Sequence, residues 1–141
     1  MIPMILVSAS VLALFLSLGR AGIVPSAYAQ AGCTTSNLQG AFGHSISGTF
    51  EGTPITAMGL VTYDGAGKLT GADSVSIKGV VTRQRTINGT YTVNSFCAGL
   101  MTWNTSTGDA ELTFVIVEGG RQMIIMQLNP GSSAVGSAIK Q

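Results

Sequence analysis

Residues 40–50 read GAFGHSISGTF, and this stretch carries the clearest signal of the fold class. Phe42, Ile46 and Phe50 fall on one face of an extended chain. His44 lies on the same face, whereas glycine, serine and threonine occupy the positions between these residues. Apolar and polar residues that alternate with a period of two predict a β-strand with one buried face and one solvated face.

Similar runs, separated by turn sequences, continue to the end of the chain, and no stretch after Ala29 has the apolar spacing of a helix. Asn88-Gly89 is the strongest hairpin signal because both residues tolerate the positive φ of a type I′ turn. The predicted strands are Gly40–Phe50, Ile55–Tyr63, Lys68–Ile77, Val80–Ile87, Thr90–Asn94, Cys97–Trp103, Asp109–Val117, Arg121–Leu128 and Ala134–Lys140.

The short connections between these runs favour pairing of strands that are neighbours in the sequence. A meander of about eight or nine strands tends to close, because closure removes its exposed edges. We therefore predict an all-β fold, an antiparallel up-and-down β-barrel, with a two-sheet β-sandwich as the alternative. An eight-stranded barrel is wide enough either to be filled by side chains or to hold one small ligand.

The first 29 residues have the features of an export signal. Met4–Gly19 is apolar and uncharged, but it is shorter than the ~20 residues that span a bilayer. Ser26–Ala29 ends in the Ala-x-Ala pattern of a signal peptidase site. We predict a signal peptide over residues 1–29 and a single barrel domain over residues 30–141, with no membrane contact after cleavage. A retained anchor and lipidation at Cys33 are the alternatives.

Two cysteines, Cys33 and Cys97, follow the predicted signal. In an exported chain they are expected to form one disulfide, which implies a secreted or periplasmic protein. A redox-active pair would be close in sequence, as in Cys-x-x-Cys, and these residues are far apart. The bridge would tie the N-terminal segment of the domain to the bend at Cys97.

The charges of the chain argue against some classes of partner. The full sequence has a formal net charge of +1, and its few charged residues form no run of either sign. Nucleic-acid binding therefore has no electrostatic footprint, and a polybasic membrane patch is also absent from the sequence. His44 is the only histidine, which argues against a histidine-based metal site, and we predict no cofactor.

Four polar residues fall on faces that are otherwise apolar. His44 lies with Phe42, Asp73 alternates with apolar residues of its own run, and Arg83 and Arg85 share one face of the next run. If these faces point inward, His44, Asp73, Arg83 and Arg85 form a polar centre in which the carboxylate partners the guanidinium groups. Such a centre is either a structural network or the polar part of a ligand pocket. A register slip of one residue would turn the charges outward.

One predicted strand has apolar residues on the face opposite its core positions. Met123 and Met126 fall on opposite faces, so Ile124, Met126 and Leu128 would form an apolar outer stripe. The stripe is either core that is covered by a loop or a second sheet, or the interface of a homo-oligomer.

Four motifs resemble those of a family of small exported bacterial β-rich proteins that are uncharacterised. They are Cys33-x-x-x-x-Leu38-x-Gly40, Thr62-Tyr63-Asp64-Gly65-Ala66-Gly67, Gly89-Thr90-Tyr91-Thr92-Val93-Asn94-x-x-Cys97 and Phe114-Val115-Ile116-Val117-Glu118-Gly119-Gly120. The resemblance implies a bacterial source, a signal peptide and the Cys33–Cys97 bridge, and it brings no catalytic residues. By architectural analogy the expected barrel looks like those of lipocalins, avidins and allene oxide cyclases, an analogy that does not establish function.

Three functions are compatible with the sequence. The first is non-enzymatic binding of a small apolar molecule by the barrel, with His44, Asp73, Arg83 and Arg85 as candidate ligand contacts. The second is a structural or interaction protein of the cell envelope or matrix. The third is a cyclase-like or isomerase-like enzyme that uses His44 or the arginine pair, but no spacing-specific catalytic motif supports an enzyme.

Overall fold

Eight antiparallel strands form one closed sheet in the computed structural model, which describes residues 32–141. In chain order the strands are β1 (Gln39–Phe50), β2 (Thr53–Asp64), β3 (Lys68–Ile77), β4 (Val80–Val93), β5 (Ala98–Thr105), β6 (Ala110–Val117), β7 (Gln122–Gln127) and β8 (Val135–Lys140). Each strand pairs with the next, and β8 pairs with β1. The predicted up-and-down barrel is confirmed, and the sandwich alternative is wrong. The predicted signal peptide lies outside the described residues.

Alternation along each strand places the core inside the barrel. In β1, Phe42, His44 and Ile46 are buried, as the pattern of residues 40–50 predicts. The same alternation recurs in β7, where Met123 and Ile125 are buried and the residue between them is exposed. The largest fully buried side chains are Leu38, Phe42, Val61, Tyr63, Leu69, Val75, Ile87, Leu112, Phe114, Met123 and Ile125. Removal of their apolar surface from water is the main stabilising contribution.

The hairpin predicted at Asn88-Gly89 is wrong. The runs Val80–Ile87 and Thr90–Asn94 belong to one continuous strand, β4, so the sheet has eight strands. Gly89 pairs with Trp103 of β5 in an unbroken register. A Cβ atom at Gly89 would collide with the carbonyl oxygen of Thr102. The glycine is therefore needed because the two backbones approach closely, and not because the chain turns there.

Gly89 is one of six glycines at interior-facing positions where a Cβ atom would collide with the neighbouring chain segment. The six are Gly48, Gly59, Gly71, Gly89, Gly99 and Gly136. Interior glycines of this kind let a sheet bend sharply enough to close into a small barrel. The high glycine content of the chain therefore serves barrel closure as well as turns.

One end of the barrel, which we call the closed end, is covered by the segment that precedes β1. Leu38 is fully buried there, and its carbonyl oxygen accepts a hydrogen bond of 2.8 Å from the Tyr91 hydroxyl. The same hydroxyl accepts a hydrogen bond of 2.8 Å from the Gly65 N–H in the β2–β3 turn. Tyr63 packs edge-on against Tyr91 with ring centroids 5.2 Å apart. Hydrogen bonds and aromatic contacts thus fasten the segment to the barrel.

A disulfide adds a covalent link at the closed end. Cys33 and Cys97 are bonded; they are 64 positions apart in the sequence, and their Cα atoms are 4.9 Å apart. The predicted bridge is confirmed, and it leaves no thiol at Cys33 for lipidation. A structural disulfide is consistent with an oxidising environment such as the periplasm or the extracellular space.

The opposite end, which we call the open end, carries the β1–β2, β3–β4, β5–β6 and β7–β8 connections. Glu51-Gly52 and Lys78-Gly79 turn the first two of these hairpins with positive φ at all four residues. The only helical segments within residues 32–141 are two 3₁₀ turns of three residues each, Thr35–Asn37 and Glu118–Gly120. Neither is long enough to cross a membrane.

The outer surface carries an apolar patch on β5 to β8. Ile124, Met126 and Leu128 are exposed, as their positions opposite the core face predict, whereas Met123 is fully buried. Val115 lies beside Ile124, and Val135 lies beside Met126. We define the outer apolar patch as Leu100, Val115, Ile124, Met126, Leu128, Val135 and Ile139, all of which are exposed. The oligomer interface that the sequence suggests stays a prediction.

Candidate ligand site at the open end

A small cavity of about 40 Å³ lies inside the open end of the barrel. Its lining is mostly apolar, and Arg85 is the one ionisable residue that lines it. The lining residues are Ile46, Phe50, Ile55, Ala57, Ile77, Arg85, Trp103, Thr107, Gly108, Ala110, Leu112 and Gln127. A cavity of this size holds only a few water-sized groups. A larger ligand would insert one end here and rest the remainder on the rim.

Arg85 forms a two-point ion pair with Asp73. The Arg85 Nε and Nη2 atoms donate to the two carboxylate oxygens of Asp73 at 2.9 and 2.7 Å. Nη1 donates to the Thr107 hydroxyl at 2.6 Å and to the Thr105 hydroxyl at 3.5 Å. The Asp73 side chain has no exposed surface, and that of Arg85 is 8% exposed. Such a paired arrangement is what allows two charges to be buried.

A β-bulge in β4 turns Arg85 inward. Asp73 pairs with Arg85, but Val75 pairs with Thr82, so Ser74 alone faces two residues, Arg83 and Gln84. Gln84 takes up the irregularity with a φ of 51°. An extra residue in one strand reverses the alternation beyond it. Arg83 is consequently exposed on the outside of the barrel, although Arg85 is buried within it.

His44 lies beside the ion pair but makes no hydrogen bond within the described residues. Its Nε2 atom is 3.6 Å from Asp73 Oδ2, too long for a direct hydrogen bond, and both ring nitrogens are buried without a partner. The ring packs edge-on against Trp103, with centroids 4.9 Å apart. Between His44 and Asp73 lies Gly59, which pairs with both residues. A side chain at Gly59 would collide with the Asp73 backbone, so this glycine lets the two groups approach.

The electrostatics of the cluster keep Asp73 ionised. Burial raises the pKa of the Asp73 carboxyl, but the neighbouring His44 and Arg85 side chains outweigh burial and hold the pKa below its ordinary value. An ionised carboxylate beside a guanidinium makes the pair electrically neutral. The cavity is therefore bordered by a compensated charge pair, not by a free cation.

The structure brings together three of the four residues that the sequence singles out. His44, Asp73 and Arg85 form one cluster, and Arg85 alone of the three lines the cavity. The prediction that Arg83 shares the interior face is wrong, because the bulge at Arg83 and Gln84 interrupts the alternation. Whether the cluster contacts a ligand stays a prediction.

Trp103, Thr107 and Gln127 complete the site, although the sequence reasoning did not single them out. Trp103 lies on the inward face of β5 with Met101, and Gln127 lies on the inward face of β7 with Ile125. Alternation alone could therefore have placed both residues inside the barrel. Thr107 lies in the β5–β6 loop, where no periodic pattern exists to place it. Across residues 32–141, no three histidine, cysteine or acidic side chains gather in a group that could hold a metal ion.

The comparisons with known proteins identify the fold and no family. No protein-family model matches the chain, and no curated protein matches it either. A solved structure that is similar is a de novo designed fluorescence-activating β-barrel. The two share 14% sequence identity with a TM-score of 0.56, over 76% of this chain and 96% of the designed one. At this identity the likeness supports the barrel fold alone, and membership of the uncharacterised family stays a prediction.

Proposed function

We propose that this chain is an exported, non-enzymatic β-barrel that binds a small, largely apolar molecule at its open end. The observation that carries the proposal is the apolar cavity at that end, opposite an end that is covered by Leu38 and the disulfide. Ligand sites in small barrels typically lie in the mouth, with mostly apolar walls and a few polar groups. Arg85, Thr107 and Gln127 supply those polar groups here.

The volume of the cavity limits the size of the ligand. Drug-sized ligands occupy pockets of roughly 300–1,000 Å³, whereas this cavity measures about 40 Å³. Phe50, Ile55 and Ile77 are only partly buried at the rim, and they offer apolar surface above the cavity. The ligand that fits best therefore has one narrow end, which lies inside the barrel, and a remainder that rests against this rim.

Two further observations are compatible with this proposal. The similar solved structure is of a designed barrel that is described as fluorescence-activating. The Cys33–Cys97 bridge fits a protein of the periplasm or the extracellular space, and the predicted signal peptide and bacterial source belong to the same proposal.

The experiment uses N-phenyl-1-naphthylamine, a neutral apolar dye whose emission rises in apolar surroundings. We expect a saturable rise in dye emission, with quenching of Trp103, the single tryptophan of the chain. Ala110→Phe, which fills the cavity, should weaken binding at least tenfold. Ala66→Phe, in the exposed β2–β3 turn at the closed end, should leave binding within twofold. Absence of saturable binding, or equal binding by Ala110→Phe and the parent, would overturn the proposal.

The outer apolar patch favours a second candidate function, that of a structural or interaction protein. Contiguous exposed apolar surface is typical of contact sites between proteins, and the patch spans four adjacent strands. Sedimentation velocity over a wide range of concentrations tests self-association through the patch. A monomer at every concentration would argue against assembly of this protein with itself.

A further inference from the structure

We infer that the ligand of the open end is an uncharged molecule whose inserted end carries a hydroxyl group. This inference rests on the proposed function and names the chemical class that the same cavity accepts. It is carried by the charge balance of the Asp73–Arg85 pair and by the orientation of the Gln127 amide.

The charge balance excludes ions of either sign. Both carboxylate oxygens of Asp73 accept from Arg85, so the guanidinium charge is already compensated. An inserted carboxylate would lose its hydration and lie near Asp73 without a free cation to pair with. An inserted ammonium would lie beside Arg85, the one ionisable residue of the lining. An unpaired charge in an apolar cavity is strongly disfavoured, so a neutral molecule fits best.

The Gln127 amide is oriented by a chain of hydrogen bonds. The backbone N–H of Glu111 donates to Asn129 Oδ1 at 2.9 Å, which identifies that atom as the amide oxygen of Asn129. Gln127 Nε2 also donates to Asn129 Oδ1, at 3.2 Å. The nitrogen of the Gln127 amide must therefore face Asn129, because a carbonyl oxygen could not donate there. Gln127 Oε1 is left as an acceptor without a partner among the described residues.

Arg85 supplies the complementary donor. A guanidinium has five N–H donors, and the four hydrogen bonds to Asp73, Thr105 and Thr107 leave one of them unused. Both Arg85 and Gln127 line the cavity. A hydroxyl group has the matching chemistry, because it can donate to an acceptor such as Gln127 Oε1 and also accept from a donor such as the unused Arg85 N–H. An ether or ketone could only accept, and would leave Gln127 Oε1 unpaired when water is displaced.

Four compounds of similar length test the inference by displacement of bound N-phenyl-1-naphthylamine at pH 7: 1-hexanol, 1-methoxypentane, hexanoate and hexylammonium. We expect 1-hexanol to compete at least tenfold better than either ion. We also expect it to compete severalfold better than the ether, because a site built to bind a hydroxyl discriminates against analogues that lack one. Gln127→Met should abolish the preference for alcohol over ether, whereas Gln122→Met, at the other end of β7, should retain it.

The outcomes separate this inference from the function on which it rests. If the dye does not bind, the proposed function is wrong. If the dye binds but hexanoate competes as well as 1-hexanol, or the ether equals the alcohol, or no compound competes, the inference is wrong and the apolar site stands. If Gln127→Met does not fold, the four compounds with the parent protein still decide the matter.

Discussion

The closed end and the open end of the barrel satisfy their buried polar groups in different ways. At the closed end, the Tyr91 hydroxyl accepts from the Gly65 N–H and donates to the carbonyl oxygens of Leu38 and Thr35, and the Cys33–Cys97 bridge holds the segment that carries Leu38. At the open end, Asp73 and Arg85 satisfy each other, and His44 has no hydrogen-bond partner among the described residues.

This difference indicates what each end contributes. Backbone hydrogen bonds and a covalent link hold a segment in one place, so the closed end serves the stability of the fold. A buried ion pair adds little net stability compared with apolar packing of the same volume, and an unpartnered imidazole is unfavourable. The open end therefore contains buried polar groups that add little to the stability of the fold, and this favours a functional role for that end.

The two arginines of β4 should differ most in their contribution to the free energy of unfolding. Arg85→Ala should lower the free energy of unfolding by about 3–5 kcal/mol, because it leaves the Asp73 carboxylate buried without its partner. Arg83→Ala, two residues away on the outside, should change it by less than about 0.5 kcal/mol. Urea denaturation measures both values. Equal effects would show that the bulge does not divide the two arginines as the register indicates.

At the closed end, the disulfide should provide the next largest effect. Replacing Cys33 and Cys97 together with alanine should cost roughly 2–4 kcal/mol, because the bridge closes a long loop in the unfolded chain. The comparison is made by urea denaturation with the oxidised parent protein, and reduced parent protein is the control. A cost below about 1 kcal/mol would mean that hydrogen bonds alone hold the N-terminal segment.

Acid should lower the contribution of the Asp73–Arg85 pair, at the open end, to the free energy of unfolding. The pKa of Asp73 lies below its unfolded value of about 3.9. The ionised carboxylate therefore contributes stability above pH ~4, and this contribution is lost as the pH falls through the folded pKa. The loss should be smaller than that caused by Arg85→Ala, because a protonated carboxyl still accepts hydrogen bonds.

Unfolding free energies between pH 6 and pH 2 test the acid effect against Asp73→Asn, which lacks the titrating group. The curve of the variant should be flatter below pH 4. Asp64, whose pKa is also lowered by hydrogen bonds from backbone N–H groups of its own turn, is present in both proteins and does not affect the difference. Parallel curves would contradict a depressed pKa at Asp73.

The two tyrosines of the closed end should differ in a smaller way. Tyr91→Phe removes the link between Leu38 O and Gly65 N and should cost about 1–3 kcal/mol. Tyr63→Phe should cost less, because the Tyr63 hydroxyl donates only to the sulfur of Met101, at 3.6 Å. Urea denaturation of both variants gives the comparison. A larger loss for Tyr63→Phe would contradict the assignment of Tyr91 as the anchor.

The architecture could be predicted from the sequence because alternation and closure are properties of whole strands. The alternation in residues 40–50 and the spacing of the turns were sufficient for an eight- or nine-stranded barrel. The error at Asn88-Gly89 has a physical cause. The glycine lies where β4 and β5 approach closely, and its sequence neighbours cannot reveal the partner strand.

The site could be predicted only in part because one bulge changes every face assignment beyond it. Residue type pairs Asp73 with Arg85 correctly, but simple alternation places Arg83 on the same face as Arg85. No local signal marks the extra residue, because a bulge depends on the register with β3. Thr107 could not be found by periodicity, since it reaches Arg85 from a loop.

Replacement of His44 should change the free energy of unfolding least. His44→Leu should leave the free energy of unfolding within about 1 kcal/mol of the parent, because the removal of two unpartnered ring nitrogens offsets the lost contacts with Trp103 and with the Asp73 carboxylate. Phe42→Leu, two residues earlier on the same face, is the control and should cost more, since it leaves a cavity beside Tyr63. A loss of about 3 kcal/mol for His44→Leu would identify the imidazole as a structural group. An unchanged stability would instead show that His44 is not needed for folding, which favours a role for the imidazole at the open end.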